Sequence, residues 1–305
     1  MPARANAPDI STLSNQLADA VQAAAAWTLR VHARRGPAAS GIAVSADRVL
    51  TADHVVEPAR EGDIRVGLPD GGELKATLVG RDPATDLAVL RVSDARLTPA
   101  APSTDQPRVG SLALVVARPN GGLAASLALV SGLGGPARTR GGGILERFIQ
   151  VDAVMYPGFS GGPLVDTAGA VLGLSTSGLA FGGPSTAIPW DLATRLAQTI
   201  VEHGRVRRGY LGIGSQPVAL SPAARDLAAG QERGLLVVHV AENGPAAQAG
   251  FLQGDILVRL DGGAITNADE LQGLLGPDRV GATLQAAIVR GGELRELSVT
   301  VGARE

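Results

Sequence analysis

Short apolar runs separated by Gly, Pro and Asp clusters dominate the first two thirds of the chain. Runs at 41–44, 49–52, 63–68, 74–80 and 87–92 are rich in Val, Leu and Ile, with breaks such as Leu68-Pro69-Asp70-Gly71-Gly72 between them. Pro presets φ for a turn, Gly supplies positive φ, and the flanking runs are of strand length. The spacing predicts antiparallel hairpins of a small β-barrel across residues 28–105. The same style returns at 112–117, 125–132, 147–152, 162–166 and 170–176, which predicts a second barrel of about equal size. At Trp190 the period changes: Leu192, Leu196 and Ile200 recur every fourth residue and mark one apolar face of a helix, with His203 in its last turn and Gly204 ending it. Upstream, the alanine-rich residues 17–27 read as an amphipathic helix leading into a strand at 28–31.

Residues 209–304 read as a third unit, with strands at 234–240, 256–260, 283–290 and 296–301 and short helices at 246–249 and 267–275. Asn267 is placed as an N-cap, with Glu270 as its capping-box partner. The expected organisation is an N-terminal helical segment (1–27), a double-barrel domain (28–203), a short basic linker (204–208) and a C-terminal domain (209–305).

Composition narrows the function classes. Hydrophobic residues make up 45% of the 305, enough for packed cores, and aromatics only 3%, so Val and Leu must fill them. There is no cysteine, which excludes disulfides, thiolate zinc sites and a thiol nucleophile. A formal net charge of −2 gives no basis for nucleic acid or an anionic membrane as the main partner. No stretch reaches the ~18 uninterrupted apolar residues of a membrane helix. The alanine-rich N-terminal segment carries Asp19 and Gln22 and has neither the compact basic start nor the long apolar centre of a signal peptide. No metal or other cofactor is called for.

The most informative stretch is Gly158-Phe159-Ser160-Gly161-Gly162-Pro163-Leu164. Glycines around a serine permit positive φ and close approach, which an exposed nucleophile and converging backbone N–H groups require. A serine hydroxyl also needs a base, and that base an orienting carboxylate. The chain has four histidines. His32, His203 and His239 fall in a strand, at a helix end and in the third unit, and read as structural. His54, in Leu50-Thr51-Ala52-Asp53-His54-Val55-Val56, lies where a strand gives way to a helical turn and is best placed to project into a cleft. Asp86 leads directly into the apolar run 87–92 and is the candidate buried acid. The order His, Asp, Ser is that of chymotrypsin-like enzymes.

With these residues placed, the blocks 51–56, 82–90 and 158–164 resemble the three catalytic blocks of HtrA-type serine proteases. The similarity continues through 173–177 and 185–189. It extends into Arg208-Gly209-Tyr210-Leu211-Gly212-Ile213 and Gly244-Pro245-Ala246-Ala247-Gln248-Ala249-Gly250, which look like a PDZ domain. The resemblance implies a mainly β protein of two six-stranded chymotrypsin-like barrels followed by one PDZ domain. Its implied activity is a serine endopeptidase acting on unfolded or damaged proteins. Ser160 would be the nucleophile, His54 the base and Asp86 the orienting acid, with the N–H groups of Gly158 and Ser160 as the oxyanion hole. Thr176 corresponds to a hydroxyl near the buried acid, and Ser177, Gly178 and Leu179 would pair with the substrate backbone. Val154 occupies the place where trypsin-like enzymes carry a specificity acid, which disfavours cleavage after Lys or Arg and favours small or medium apolar residues; the loop 179–185 would shape that pocket. In the PDZ unit, Tyr210, Leu211 and Gly212 would bind a peptide carboxylate, the peptide would add to the strand from Ile213, and Leu211, Ile213 and Leu271 would line the side-chain pocket. The family also implies a homotrimer and an extracytoplasmic location.

Two positions depart from the family pattern: Tyr156 and Phe159 stand where asparagine is usual. The expectation is that Phe159 alters the nucleophile loop or caps the cleft with its ring. This motivates an alternative reading, a protease-like peptide-binding scaffold with little turnover. A third reading, the Gly-x-Ser-x-Gly elbow of an α/β-hydrolase, needs a helix after the serine and the acid and histidine downstream; the residues after Ser160 read as strand and turn.

Overall fold

A computed structural model describes residues 10–33, 38–57, 63–139, 143–179, 185–206, 209–276 and 279–303. The chain divides into two compact units, 1–206 and 207–305.

The first unit opens with α1 (Ile10–Ala24). The helix begins earlier and ends sooner than the alanine pattern predicts. Its end is closed by the Thr28 hydroxyl, which donates to Ala24 O at 2.7 Å. The first barrel follows, from β1 (Thr28–His32), β2 (Ala39–Ala43), β3 (Arg48–Ala52), α2 (Asp53–Val56), β4 (Arg65–Gly67), β5 (Glu73–Asp82) and β6 (Leu87–Val92). Its strands close in the order β1-β2-β3-β6-β5-β4, all antiparallel.

The second barrel uses β7 (Leu112–Ala117) and β8 (Ala124–Gly134), then a small hairpin of β9 (Ala137–Arg138) and β10 (Ile144–Leu145). It continues with β11 (Phe148–Val151), β12 (Pro163–Val165), β13 (Val171–Thr176) and β14 (Ser185–Pro189). It closes as β11-β14-β13-β12-β7-β8. The two closed six-stranded barrels are those the resemblance implied. Strand β14 escaped the hydrophobic pattern because Ser185 and Thr186 are polar yet buried.

Then α3 (Trp190–His203) presents Leu192, Leu196 and Ile200 inward, as their spacing predicts, and ends at Gly204 in the left-handed region (φ 74°). It packs so tightly on β5 that a Cβ at Gly80 would collide with the Gly204 carbonyl and sit 2.8 Å from Ile200 Cγ2. The first-barrel core includes Leu29, Ile42, Leu50, Leu87, Leu90, Leu192 and Ile200, all fully buried. Each such side chain contributes about 1.5–3 kcal/mol by leaving water.

The second unit contains β15 (Gly209–Tyr210), β16 (Ile213–Ala219), α4 (Pro222–Leu227), β17 (Arg233–Val240), α5 (Pro245–Gln248), β18 (Ile256–Leu260), β19 (Gly263–Ala264), α6 (Ala268–Leu274), β20 (Thr283–Arg290), β21 (Glu293–Thr300) and β22 (Gly302–Ala303). Its main sheet runs β16-β17-β18-β20-β21, so β16 is an edge strand, and α6 packs beside it. Helix α4 was not anticipated, although Ser221-Pro222 is a readable start signal: Ser221 Oγ accepts from Ala224 N–H at 3.3 Å, and Pro occupies the first turn. Asn267 caps α6 through bonds from the N–H groups of Asp269 and Glu270. Glu270 reaches one residue beyond the cap, accepting from Thr266 N–H at 2.6 Å.

Candidate functional site

His54 sits in the single turn α2 that begins where β3 ends. Asp86 lies at the turn into β6, the strand paired with β3, so the register Ala52↔Leu87 brings the two residues together. Asp86 adopts φ 56°, a left-handed conformation that Asp tolerates better than most residues. Its carbonyl accepts from Asp53 N–H at 3.1 Å. Its Oδ1 accepts from the backbone N–H of His54 at 2.9 Å, and its two carboxylate oxygens lie 3.0 and 2.9 Å from His54 Nδ1.

The pair is closed from the second barrel. Thr176 Oγ1 donates to Asp86 Oδ2 and accepts from Gly178 N–H at 2.9 Å. A Cβ at Gly178 would collide with the Asp86 carboxylate and come to 3.0 Å from His54 Nδ1, so glycine is what lets the bend after β13 cover the pair. The Asp86 side chain is 7% exposed and that of His54 39%. The Asp86 hydrogen bond lifts the His54 imidazole above its ordinary value near 6.5, against partial desolvation, and the charges of Asp86, Asp53 and Glu57 add to the lift. Beside it, burial pushes the Asp53 carboxyl up, while the Arg81 guanidinium, 2.5 Å away at Nε, opposes that shift.

Ser160 lies in a loop whose shape is set by glycine. Gly158 and Gly161 have φ of 89° and 82°. A Cβ on Gly158 would stand 2.5 Å from Ala38 O, and one on Gly161 would collide with Ser40 O and Thr51 Oγ1. The loop is laced to β13 by Gly161 N–H to Ser175 O and Ser175 N–H to Gly162 O, both 2.8 Å. Among the described residues the N–H groups of Gly158 and Ser160 donate to no acceptor. Ser160 Oγ lies 3.0 Å from Ser177 Oγ and accepts from Ser177 N–H at 3.3 Å; no hydrogen bond joins it to His54.

Of the two expectations for Phe159, the capping of the cleft is corrected. Its ring does not cap the cleft: it is 3% exposed and packs in the second-barrel core with Val115, Val130, Ile149, Val151 and Leu164. Positive φ at Gly158 turns the chain so that the next side chain points inward. Tyr156 stays on the surface, its ring edge-on to Phe159 at 5.5 Å. Val154 is 58% exposed and Leu179 is buried in the core that includes the first barrel. Residues 180–184 of the loop expected to shape the specificity pocket lie outside the described residues, as do Arg207 and Arg208 of the linker. The pattern missed Ser40, Thr51 and Arg118, whose polar groups cluster beneath the Ser160 loop, because nothing along the chain ties a serine in an apolar strand to a carbonyl 118 positions away.

In the second unit, Gly212 has φ 81°, and the N–H groups of Leu211 and Gly212 have no acceptor among the described residues. Ile213 opens the edge strand β16. Leu211 and Leu271 are buried in this unit's core, and Ile213 is half-buried against it.

Two closed barrels carrying histidine, acid and glycine-flanked serine in that chain order place the first unit in the class of trypsin-like serine peptidases. A trypsin-like peptidase domain model matches residues 39–174, and a PDZ domain model matches 209–301. The chain is 37% identical over 271 residues to a probable periplasmic serine endoprotease DegP-like of Pseudomonas putida W619, covering 87% of this chain and 55% of that protein. It is 34% identical over 271 residues to the periplasmic pH-dependent serine endoprotease DegQ of Escherichia coli K12, covering 86% and 58%. The chain thus spans a little over half the length of these relatives. Among solved structures it is similar to the HtrA-type protease AlgW with decapeptide, at TM-score 0.77 and 31% identity over 95% of this chain and 99% of that one. The chain belongs to the HtrA-type serine protease family, with one trypsin-like peptidase domain followed by one PDZ domain.

Proposed function

We propose that the protein is a serine endopeptidase that cleaves unfolded or damaged polypeptides after small or medium apolar residues, regulated by peptide binding to its PDZ domain. The observation that carries this is the His54–Asp86 pair, hydrogen-bonded at 2.9 Å, beside a serine whose flanking N–H groups are uncommitted. Ser160 Oγ turns from Ser177 to His54 Nε2, gives up its proton and attacks the scissile carbonyl. Hydrogen bonds of this kind are often loose before substrate arrives and tighten in the complex. The N–H groups of Gly158 and Ser160 hold the oxyanion. Asp86 keeps the Nδ1–H tautomer and stabilises the imidazolium, which then protonates the leaving amine. Water repeats the sequence on the acyl-enzyme.

Substrate backbone adds along Ser177, Gly178 and Leu179, and the uncharged Val154 leaves nothing to pair with a basic side chain. In the PDZ domain the uncommitted N–H groups of Leu211 and Gly212, next to Tyr210, take a peptide carboxylate, and the peptide extends β16 from Ile213, with Leu271 on the neighbouring α6. An extracytoplasmic location and a homotrimer follow the family; no helix among the described residues is long and apolar enough to cross a membrane. The test is casein cleavage and fluorophosphonate labelling beside a Ser160→Ala control, with and without C-terminal peptides, and mass mapping of the cut sites. Ser160-dependent cleavage after apolar residues is expected. Absence of both cleavage and labelling under all conditions overturns the reading in favour of a peptide-binding scaffold.

A further inference from the structure

We propose that Ser40, in the first barrel, is a positioning residue that holds the oxyanion-binding peptide of the second barrel in its working orientation. This rests on the reading of Ser160 as nucleophile. Ser40 is fully buried near the start of β2, where every neighbour in the strand is also buried. Its hydroxyl has one proton, and the geometry assigns it: Oγ donates to Gly158 O at 2.8 Å and accepts from Arg118 N–H at 2.9 Å. Its backbone N–H donates to Ser160 O at 3.1 Å, and its carbonyl accepts from Thr51 Oγ1 at 2.7 Å. One residue therefore touches both ends of the loop segment 158–160 and the strand that leads to His54.

The consequence comes from peptide planarity. The Gly158–Phe159 peptide is a rigid plane. Its carbonyl is held by Ser40 Oγ, and its N–H donates to Tyr156 O at 3.1 Å. The two N–H groups assigned to the oxyanion hole, those of Gly158 and Ser160, flank this plane, so pinning it fixes how they converge. Glycine at 158 leaves the backbone free to rotate once the pin is removed. Without the hydroxyl the Gly158 carbonyl and the Arg118 N–H lose their partners, and a buried unpaired group favours rearrangement. The donor to Ser40 Oγ is the Arg118 backbone N–H, and the Arg118 guanidinium separately donates to three carbonyls, Thr28 at 2.9 Å and Gly121 and Ala25 at 3.1 Å, which anchors the residue at its other end.

The test compares wild type, Ser40→Ala and Ser40→Thr in full-length protein on one apolar peptide substrate. Ser40→Ala is expected to lower kcat by about 10- to 100-fold, less than deleting an oxyanion donor outright, with KM unchanged. Binding of a peptidyl boronate, whose tetrahedral oxygen needs the same N–H groups, should weaken in parallel, and Ser40→Thr should restore most of both. The downfield proton resonance of the His54–Asp86 hydrogen bond should persist in Ser40→Ala, which reports that the rest of the site is folded. An unchanged kcat in Ser40→Ala overturns the inference. So does a parallel loss of substrate binding and of the downfield resonance that Thr does not reverse, because that marks general disruption. Absence of turnover in wild type instead removes the underlying nucleophile reading, and this inference with it.

Discussion

The two barrels share a closed six-strand design but hold their halves of the site by different means. In the first, His54 and Asp86 are fixed by side-chain hydrogen bonds and charge. In the second, Ser160 is fixed by backbone: two glycines at positive φ, close packing against Ala38 and Ser40, and a buried phenylalanine next to the serine. One half should therefore answer to changes of charge and pH, the other to changes of steric volume. The structure crosses the two at Thr176 and Gly178, where the end of β13 and the bend after it cover the first-barrel pair.

The largest expected effect tests the charged half. Asp86→Asn keeps the shape but offers His54 the wrong hydrogen-bond partner, and kcat should fall by about 10⁴ with little change in peptide binding. A loss below tenfold would mean that the pair is not held by charge. The steric half is tested next by Gly158→Ala, which forces a side chain into φ 89° against Ala38 O. Turnover should drop by roughly 10²–10³, as for loss of an oxyanion donor, in a protein whose downfield His54–Asp86 resonance survives. If that resonance vanishes too, the two halves are not independently held.

A third measurement is the pH profile. Because Asp86 lifts the His54 pKa, the acid limb of kcat/KM should lie above pH 6.5 and fall about tenfold per pH unit below it; the limb should move to lower pH in Asp86→Asn while the Gly158→Ala profile keeps its position. The sign for stability is opposite to that for activity. A raised folded-state pKa adds stability that is full below the unfolded value near 6.5 and is lost as pH rises through the folded value, so a Tm difference between wild type and His54→Gln should be larger at acid than at alkaline pH. The smallest effect concerns the anchor. Phe159→Leu keeps an apolar side chain in the second-barrel core but loses volume and the edge contact with Tyr156, and should cost about 1 kcal/mol, or ~2–4 °C in Tm, with kcat nearly intact.

By itself the sequence determined most of the elements and singled out the candidate chemical groups. Short apolar runs with Gly, Pro and Asp breaks specify hairpins locally, the Leu192, Leu196 and Ile200 spacing specifies α3, and Gly158, Ser160, His54 and Asp86 stand out as candidates because serine-nucleophile chemistry would need such residue types in restrictive backbone settings. Only the tertiary structure decided where Phe159 points, that Gly178 must be glycine to lie over Asp86 and His54, and that Ser40, Thr51 and Arg118 lie beneath the nucleophile loop. The reason is sequence separation. Hairpin register and helix periodicity are set by residues within a turn or two of each other, whereas Ser40 and Gly158 are 118 positions apart and meet through a hydrogen bond between the barrels. A pattern along the chain carries no record of such a contact, so a buried serine in an apolar strand looks like filler until the fold shows which carbonyl it holds.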